Sequence, residues 1–142
     1  MISFYDCFLT SVLDEFGLIV FFPALLGLPL LFVVESSYVL VLIVKKKKRT
    51  VSPFVEISVT ALSIWIWGVL VSINPFEWPT KSISNFMETG FISVIGCFLY
   101  AVRCWLSLKD GCPNLKLQRR VSFVVIPVVA ILLAFLFPGL PE

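Results

Sequence analysis

Four stretches of this chain are apolar over a length that no soluble element needs: residues 17 to 44, 53 to 73, 86 to 108 and 121 to 137. As helices rising 1.5 Å per residue, the first three reach across a hydrocarbon core of about 30 Å, and the last, at roughly 26 Å, is short but within the range that can cross. The spacing therefore predicts an all-α, polytopic membrane protein of four transmembrane helices. The first stretch would be about 42 Å long as an ideal helix, more than the core requires. Pro23, Gly27 and Pro29 lie in its first half, which predicts a kink or an oblique course there and a straight part over 30 to 44.

Ahead of the first span, Phe4, Tyr5, Phe8, Leu9, Val12, Leu13 and Phe16 recur at three- and four-residue spacings, with Asp6, Thr10, Ser11, Asp14 and Glu15 between them. That pattern predicts a separate amphipathic interfacial helix over residues 1 to 16. Its polar side is acidic and lacks the positive segment of a cleavable signal.

The breaks between spans carry their own signals. Ser52 and Pro53 suit the cap and first residue of the second helix. Asn74, Pro75 and Pro79 end it, and Phe76 and Trp78, with Trp65 and Trp67, suit a membrane interface. Asn85 followed by Glu88 resembles a capping box opening the third helix. Asp110, Gly111, Cys112, Pro113 and Asn114 form a turn cluster, and Pro127 predicts a bend in the last span.

Composition agrees with the pattern. The 142 residues are 59% hydrophobic and 14% charged, with a mean hydropathy of +1.03, whereas soluble domains run about 45 to 50% apolar and about 25% charged. Once four spans are subtracted, no room is left for a soluble catalytic or nucleic-acid-binding domain. Charge then orients the spans. Ten of the eleven Lys and Arg residues, Lys45, Lys46, Lys47, Lys48, Arg49, Arg103, Lys109, Lys116, Arg119 and Arg120, fall on one side, with Lys81 alone on the other. The positive-inside rule places those ten at the cytoplasm and both termini on the non-cytoplasmic side; a bacterial inner membrane is implied only by the resemblance named below.

Candidate chemistry is sparse. There is no histidine, and Cys7, Cys97, Cys104 and Cys112 lack the spacing of a zinc or thioredoxin-type site, so no metal and no cofactor is expected. No Walker A sequence, metalloprotease motif or nucleophile elbow is present, which argues for a non-enzymatic protein. Ionisable residues inside spans are the remaining candidates, because a charge at the bilayer centre costs at least about 2.5 to 3.5 kcal/mol. Glu35 lies about 15 Å above the cytoplasmic boundary when counted back from Lys45. At that depth Ser36, Ser37, Tyr38, Thr60 and Tyr100 can hydrogen-bond to it but cannot neutralise it. Glu35, Thr60 and Tyr100 thus form a candidate intramembrane polar site, as a protonated carboxyl in a protomer or oligomer core or as a proton or cation site. Glu56 and Arg103 share a depth of about 9 to 10 Å and form a candidate interhelical ion pair, unless Arg103 snorkels to the interface.

On the second span Glu56, Thr60, Ser63 and Trp67 draw a polar stripe along one face, which should look inward. On the third, Ser93, Cys97 and Ala101 make a small-xxx-small pattern suited to close helix packing. The basic residues Lys45, Lys46, Lys47, Lys48, Arg49, Lys116, Arg119 and Arg120 set the orientation, and they are also candidates for docking anionic lipid or an acidic cytoplasmic protein. Direct nucleic-acid binding is not expected, since aromatic residues do not interleave with them.

Four short spans with a lone Glu35 in the first resemble the small multidrug-resistance transporters, which implies a proton-coupled role for that residue. The architecture also resembles the small four-span membrane subunits of bacterial anti-phage defence systems, the KwaA family of the Kiwa system among them. That likeness implies a homo-oligomeric membrane subunit working with a separately encoded cytoplasmic effector. An immunity protein against a pore-forming toxin would fit a small polytopic chain as well. The expectation is a non-enzymatic subunit or sensor that oligomerises in the bilayer and docks a cytoplasmic protein partner.

Overall fold

In the computed structural model the backbone is described for residues 2–73, 86–109 and 115–136, and side chains for 23–71, 73, 87–109 and 116–135. Four helices account for nearly all of it: α1 (Ile2–Lys45), α2 (Phe54–Ile73), α3 (Phe86–Leu108) and α4 (Leu115–Leu136). Each contains a segment long and apolar enough to cross a membrane: Pro23–Lys45, Phe54–Val71, Met87–Leu108 and Lys116–Phe135. No strand is present among the described residues. The side chains of residues 1 to 16, the loop carrying Phe76 and Trp78, the Asn85 cap and the turn at 110 to 114 lie outside the described residues.

Two boundaries differ from the sequence expectation. The N-terminal amphipathic helix is not a separate element, because α1 runs unbroken for 44 residues through Gly17, Pro23 and Pro29. Gly17 weakens a helix by only about 1 kcal/mol, and apolar residues on both sides favour continuing it where backbone groups have no water to bond. At the other end of the chain, α4 begins at Leu115 rather than near Val121. Leu, Lys, Gln and Arg are strong helix formers, so polarity alone does not make Lys116 to Arg120 a loop.

Cross-helix contacts fix the relative directions. From α1 to α3, Gly27 O accepts from Cys97 Sγ at 3.3 Å, Glu35 accepts from Tyr100, and Tyr38 Oη accepts from Ser107 Oγ at 3.2 Å. Numbering rises together along both helices, so they are parallel. From α2 to α3 the pairs are Glu56 with Arg103, Thr60 with Gly96 and Trp67 with Glu88, so these two are antiparallel. Ser122 of α4 donates to Glu56 at 3.3 Å, near the start of both helices, so α4 runs with α2. The chain thus crosses in alternating directions, with both basic segments at one end of the bundle.

Helix α3 is the hub. It packs against all three others, whereas α1 touches α3 and neither α2 nor α4 among the described residues. Two cores result. Val59, Ile64, Trp67 and Val71 of α2 meet Ile92 of α3 and Ile126, Ala130 and Leu133 of α4. Tyr38 and Leu42 of α1 meet Tyr100 and Cys104 of α3 and Val51 of the connecting loop. Apolar burial gains little between helices in lipid, so small residues and hydrogen bonds must hold them. Gly27 lets α1 approach Ser93, and Gly96 lets α3 approach Thr60. Phe32, Trp65, Phe98 and Phe123 point outward, as a lipid solvent allows.

Candidate functional site

The end of the bundle that carries the basic segments is organised by the turn after α1. Lys46 takes a left-handed conformation, with φ of 49°. Its amide donates to Ile43 O at 3.2 Å, and the Lys47 amide donates to Leu42 O at 3.0 Å. This is a Schellman motif, in which the left-handed residue reverses the chain and satisfies carbonyls that a helix end leaves open. Because α1 and α2 are not in contact among the described residues, and α3 packs against both, the loop between them passes across the end of α3. Lys47 Nζ marks the crossing by donating to Leu108 O at 3.0 Å, a cation placed on the C-terminal turn of α3. Past the crossing, Val51 is only 2% exposed and closes the cleft between α1 and α3. Ser52 Oγ then accepts from the Phe54 amide at 3.4 Å, and the Pro53 carbonyl accepts from Ile57, which opens α2.

That reversal decides what becomes of Glu35. Arg49 NH2 lies 2.5 Å from Glu35 Oε1, while Tyr100 donates to Oε2. The side chains are 49% and 25% exposed for Arg49 and Glu35 respectively, so the pair sits at the edge of the α1–α3 cleft. Counting depth along an ideal helix sets Arg49 beyond Lys45 and out of reach, and only the folded-back loop brings it down. Arg49 is a member of the site that sequence reasoning missed, and Glu35 therefore has a cation among its partners as well as hydrogen-bond donors. The three candidate site residues do not converge. Glu35 meets Tyr100, but Thr60 stands on α2 against Gly96, across α3 from α1.

A second polar node joins the other three helices. Arg103 NH1 donates to Glu56 Oε1, with side chains 5% and 2% exposed, and Ser122 Oγ of α4 donates to the same oxygen. Arg103 is buried rather than extended to the interface. Glu56 Oε2, Arg103 Nε and the buried Gln118 Oε1 have no hydrogen-bond partner. Gln118 and Ser122 are one turn apart on α4, and sequence reading singled out neither.

Farther along the stripe on α2, Ser63 and Trp67 are fully buried. Ser63 Oγ returns a bond to Val59 O at 2.7 Å, while the Trp67 indole donates to Glu88 Oε2 at 2.6 Å. Sequence reading grouped Trp67 both with an interfacial aromatic cluster and with the inward stripe. The structure places it inward and ties Glu88 to it. The stripe itself carried the signal, since Trp67 lies eleven residues, or about three turns, from Glu56.

Of the basic candidates, Lys47 and Arg49 make internal bonds, whereas Lys45, Lys46, Lys48, Lys116, Arg119 and Arg120 are exposed. Lys116, Arg119 and Arg120 ride on the first turns of α4 instead of a loop. Lys109 is exposed beside them, with Nζ 4.6 Å above the Trp105 ring, where an amphipathic indole suits a membrane boundary. Among the described residues no group of three His, Cys, Asp or Glu side chains could hold a metal ion, and Cys97 and Cys104 are free thiols. No family model, curated protein or solved structure matches this chain.

Proposed function

We propose that this chain is a non-enzymatic subunit or sensor of a bacterial inner-membrane complex, which oligomerises and docks an acidic cytoplasmic protein on its basic end. One observation carries the reading: seven exposed cations, Lys45, Lys46, Lys48, Lys109, Lys116, Arg119 and Arg120, stand at one end of the bundle. The acids Glu35 and Glu56, at the same end, are paired within the protein and do not cancel that surface. Such a field attracts an anionic surface and accelerates its encounter. The positive-inside rule makes that end cytoplasmic, with both termini on the other side. The resemblance to membrane subunits of anti-phage defence systems supplies a setting in which a separately encoded effector would be the partner.

The test is copurification in mild detergent. Tagged protein should elute as a homo-oligomer and bring a second protein with it. Replacing Lys45, Lys46 and Lys48 by Gln should release that second protein without changing the oligomer. A lone monomer from both preparations overturns the reading. Sidedness is tested by labelling single cysteines at position 48 with a membrane-impermeant maleimide, where reaction in intact spheroplasts would reverse the orientation.

A further inference from the structure

We infer that Glu35 is a positioning residue for the basic end: through Arg49 it latches the loop 46–53 across α3, so that the exposed Lys46 and Lys48 are presented in a fixed geometry. The inference rests on the docking reading above and deepens it by naming what sets the shape of the surface.

The loop has unusual demands. It joins two helices that are not in contact among the described residues, so it has no helix–helix contact of its own to fold against. Eight residues with one favourable route and many unfavourable ones would sample them all unless pinned, since each ordered residue costs about 1 to 2 kcal/mol of backbone entropy. Three internal pins are present. Lys47 holds the end of α3, Val51 fills the cleft, and Arg49 reaches back to Glu35, fourteen residues earlier on α1. Lys46 and Lys48 alternate with the pinned residues and are left exposed between them.

Like Val51 in the cleft, the Glu35 contact couples the loop to both helices beneath it, because the same carboxylate accepts from Tyr100 on α3. The groups facing Glu35 are Arg49 from the loop and Tyr100 from α3, with Tyr38 and Cys104 in the adjoining core. A carboxylate at this depth also needs a cation, since a lone charge in the hydrocarbon is costly. Arg49 meets that need from the same chain and binds the loop by doing so. Its second bond, from Nε to Val51 O at 3.1 Å, fixes the loop backbone on the far side of the side chain. One residue therefore joins the intramembrane acid, the loop backbone and the apolar plug.

Hydrogen exchange by mass spectrometry, on the purified full chain in nanodiscs, reads the latch directly. Glu35→Gln keeps the size and the acceptor for Tyr100 but removes the charge that holds Arg49. Amides of residues 47 to 51 should exchange about three- to tenfold faster, while those of α2 and α4 stay as in the wild type. Arg49→Gln should match it, the double variant should add nothing further, and Arg49→Lys, which keeps the charge, should restore most of the protection. Unchanged loop exchange in Glu35→Gln, or a uniform rise across all helices, overturns the latch. Docking is read separately with a fluorescein-labelled polyglutamate peptide as the acidic probe. Glu35→Gln should weaken its binding about threefold or more, as loosened lysines lose their common geometry. Looser exchange with undiminished binding, in a protein whose Lys46→Gln/Lys48→Gln variant does lose the probe, overturns the positioning role. If that lysine variant also binds the probe undiminished, the docking reading fails, and the exchange result still decides the latch.

Discussion

Replacing Arg103 by Met tests whether the polar node under the basic end holds three helices together. The side chains of Arg103 and Glu56 are 5% and 2% exposed, and Ser122 adds a bond from α4 to the same carboxylate oxygen. Arg103→Met would leave Glu56 buried with a single hydroxyl donor. Removing one partner of a buried pair costs about 3 to 5 kcal/mol, since the remaining charge stays desolvated. The converse change should be milder. Arg103 lies five residues before the end of α3 at Leu108, about 7.5 Å along the axis, within reach of a snorkelling guanidinium. Glu56→Met should therefore cost about 1 to 2 kcal/mol, because Arg103 can escape to the interface. The double Met variant removes both charges and should lie nearer the wild type than Arg103→Met does, giving a coupling energy of about 2 to 4 kcal/mol. Reversible unfolding in mixed SDS and dodecylmaltoside micelles, followed by tryptophan fluorescence, measures each corner of this cycle. A cost below about 1 kcal/mol for Arg103→Met, or a double variant as unstable as the sum of the singles, would refute the reasoning.

Other residues make separate demands. Lys46→Gly should stabilise the protein by about 0.5 to 1 kcal/mol in the same assay, because glycine accepts the left-handed φ of 49° that lysine resists; an unchanged midpoint would count against strain there. Gly96→Ala should destabilise the α2–α3 contact by about 1 to 3 kcal/mol, since the new methyl would overlap Thr60 Oγ1. Adding Thr60→Ala removes the overlapping atom and should recover most of that loss; no recovery would place the strain elsewhere. Trp67→Phe deletes the 2.6 Å donor to Glu88 and should cost about 1.5 to 3 kcal/mol beyond the change in packing, with Trp67→Phe/Glu88→Gln showing clear non-additivity.

Much of the scaffold could be read from the chain because bilayer physics acts on segments. An uninterrupted apolar run must be a helix, since no other open element satisfies its backbone in lipid, and the run needs no knowledge of its neighbours. Four such runs, with basic residues between alternate pairs, determined the helix count and the alternating course. Capping is equally local, and Ser52 with Pro53 opens α2 through its own amides. Element ends were less legible where polarity and helix propensity disagree. Lys116 to Arg120 are largely charged and still helical, while residues 2 to 16 are continuous with the rest of α1 because nothing at Gly17 stops it.

Helix partnership, by contrast, belongs to the tertiary structure. Sequence order suggests that α1 should lie against α2, yet α1 packs on α3, and the loop has to cross the end of α3 to reach α2. That crossing turns Lys47 and Arg49 from surface charges into internal pins, brings Arg49 to Glu35, and leaves Thr60 in another interface altogether. A one-dimensional depth count assumes that the chain leaves the membrane once α1 ends, and a single left-handed residue at Lys46 breaks that assumption. The chain by itself determined how many helices cross, in which alternation, and which residues are too polar for lipid. Only the packing decided which of those polar residues meet, because a pair bond depends on two helices' rotation and register, and neither is set by the hydrophobicity of either helix alone.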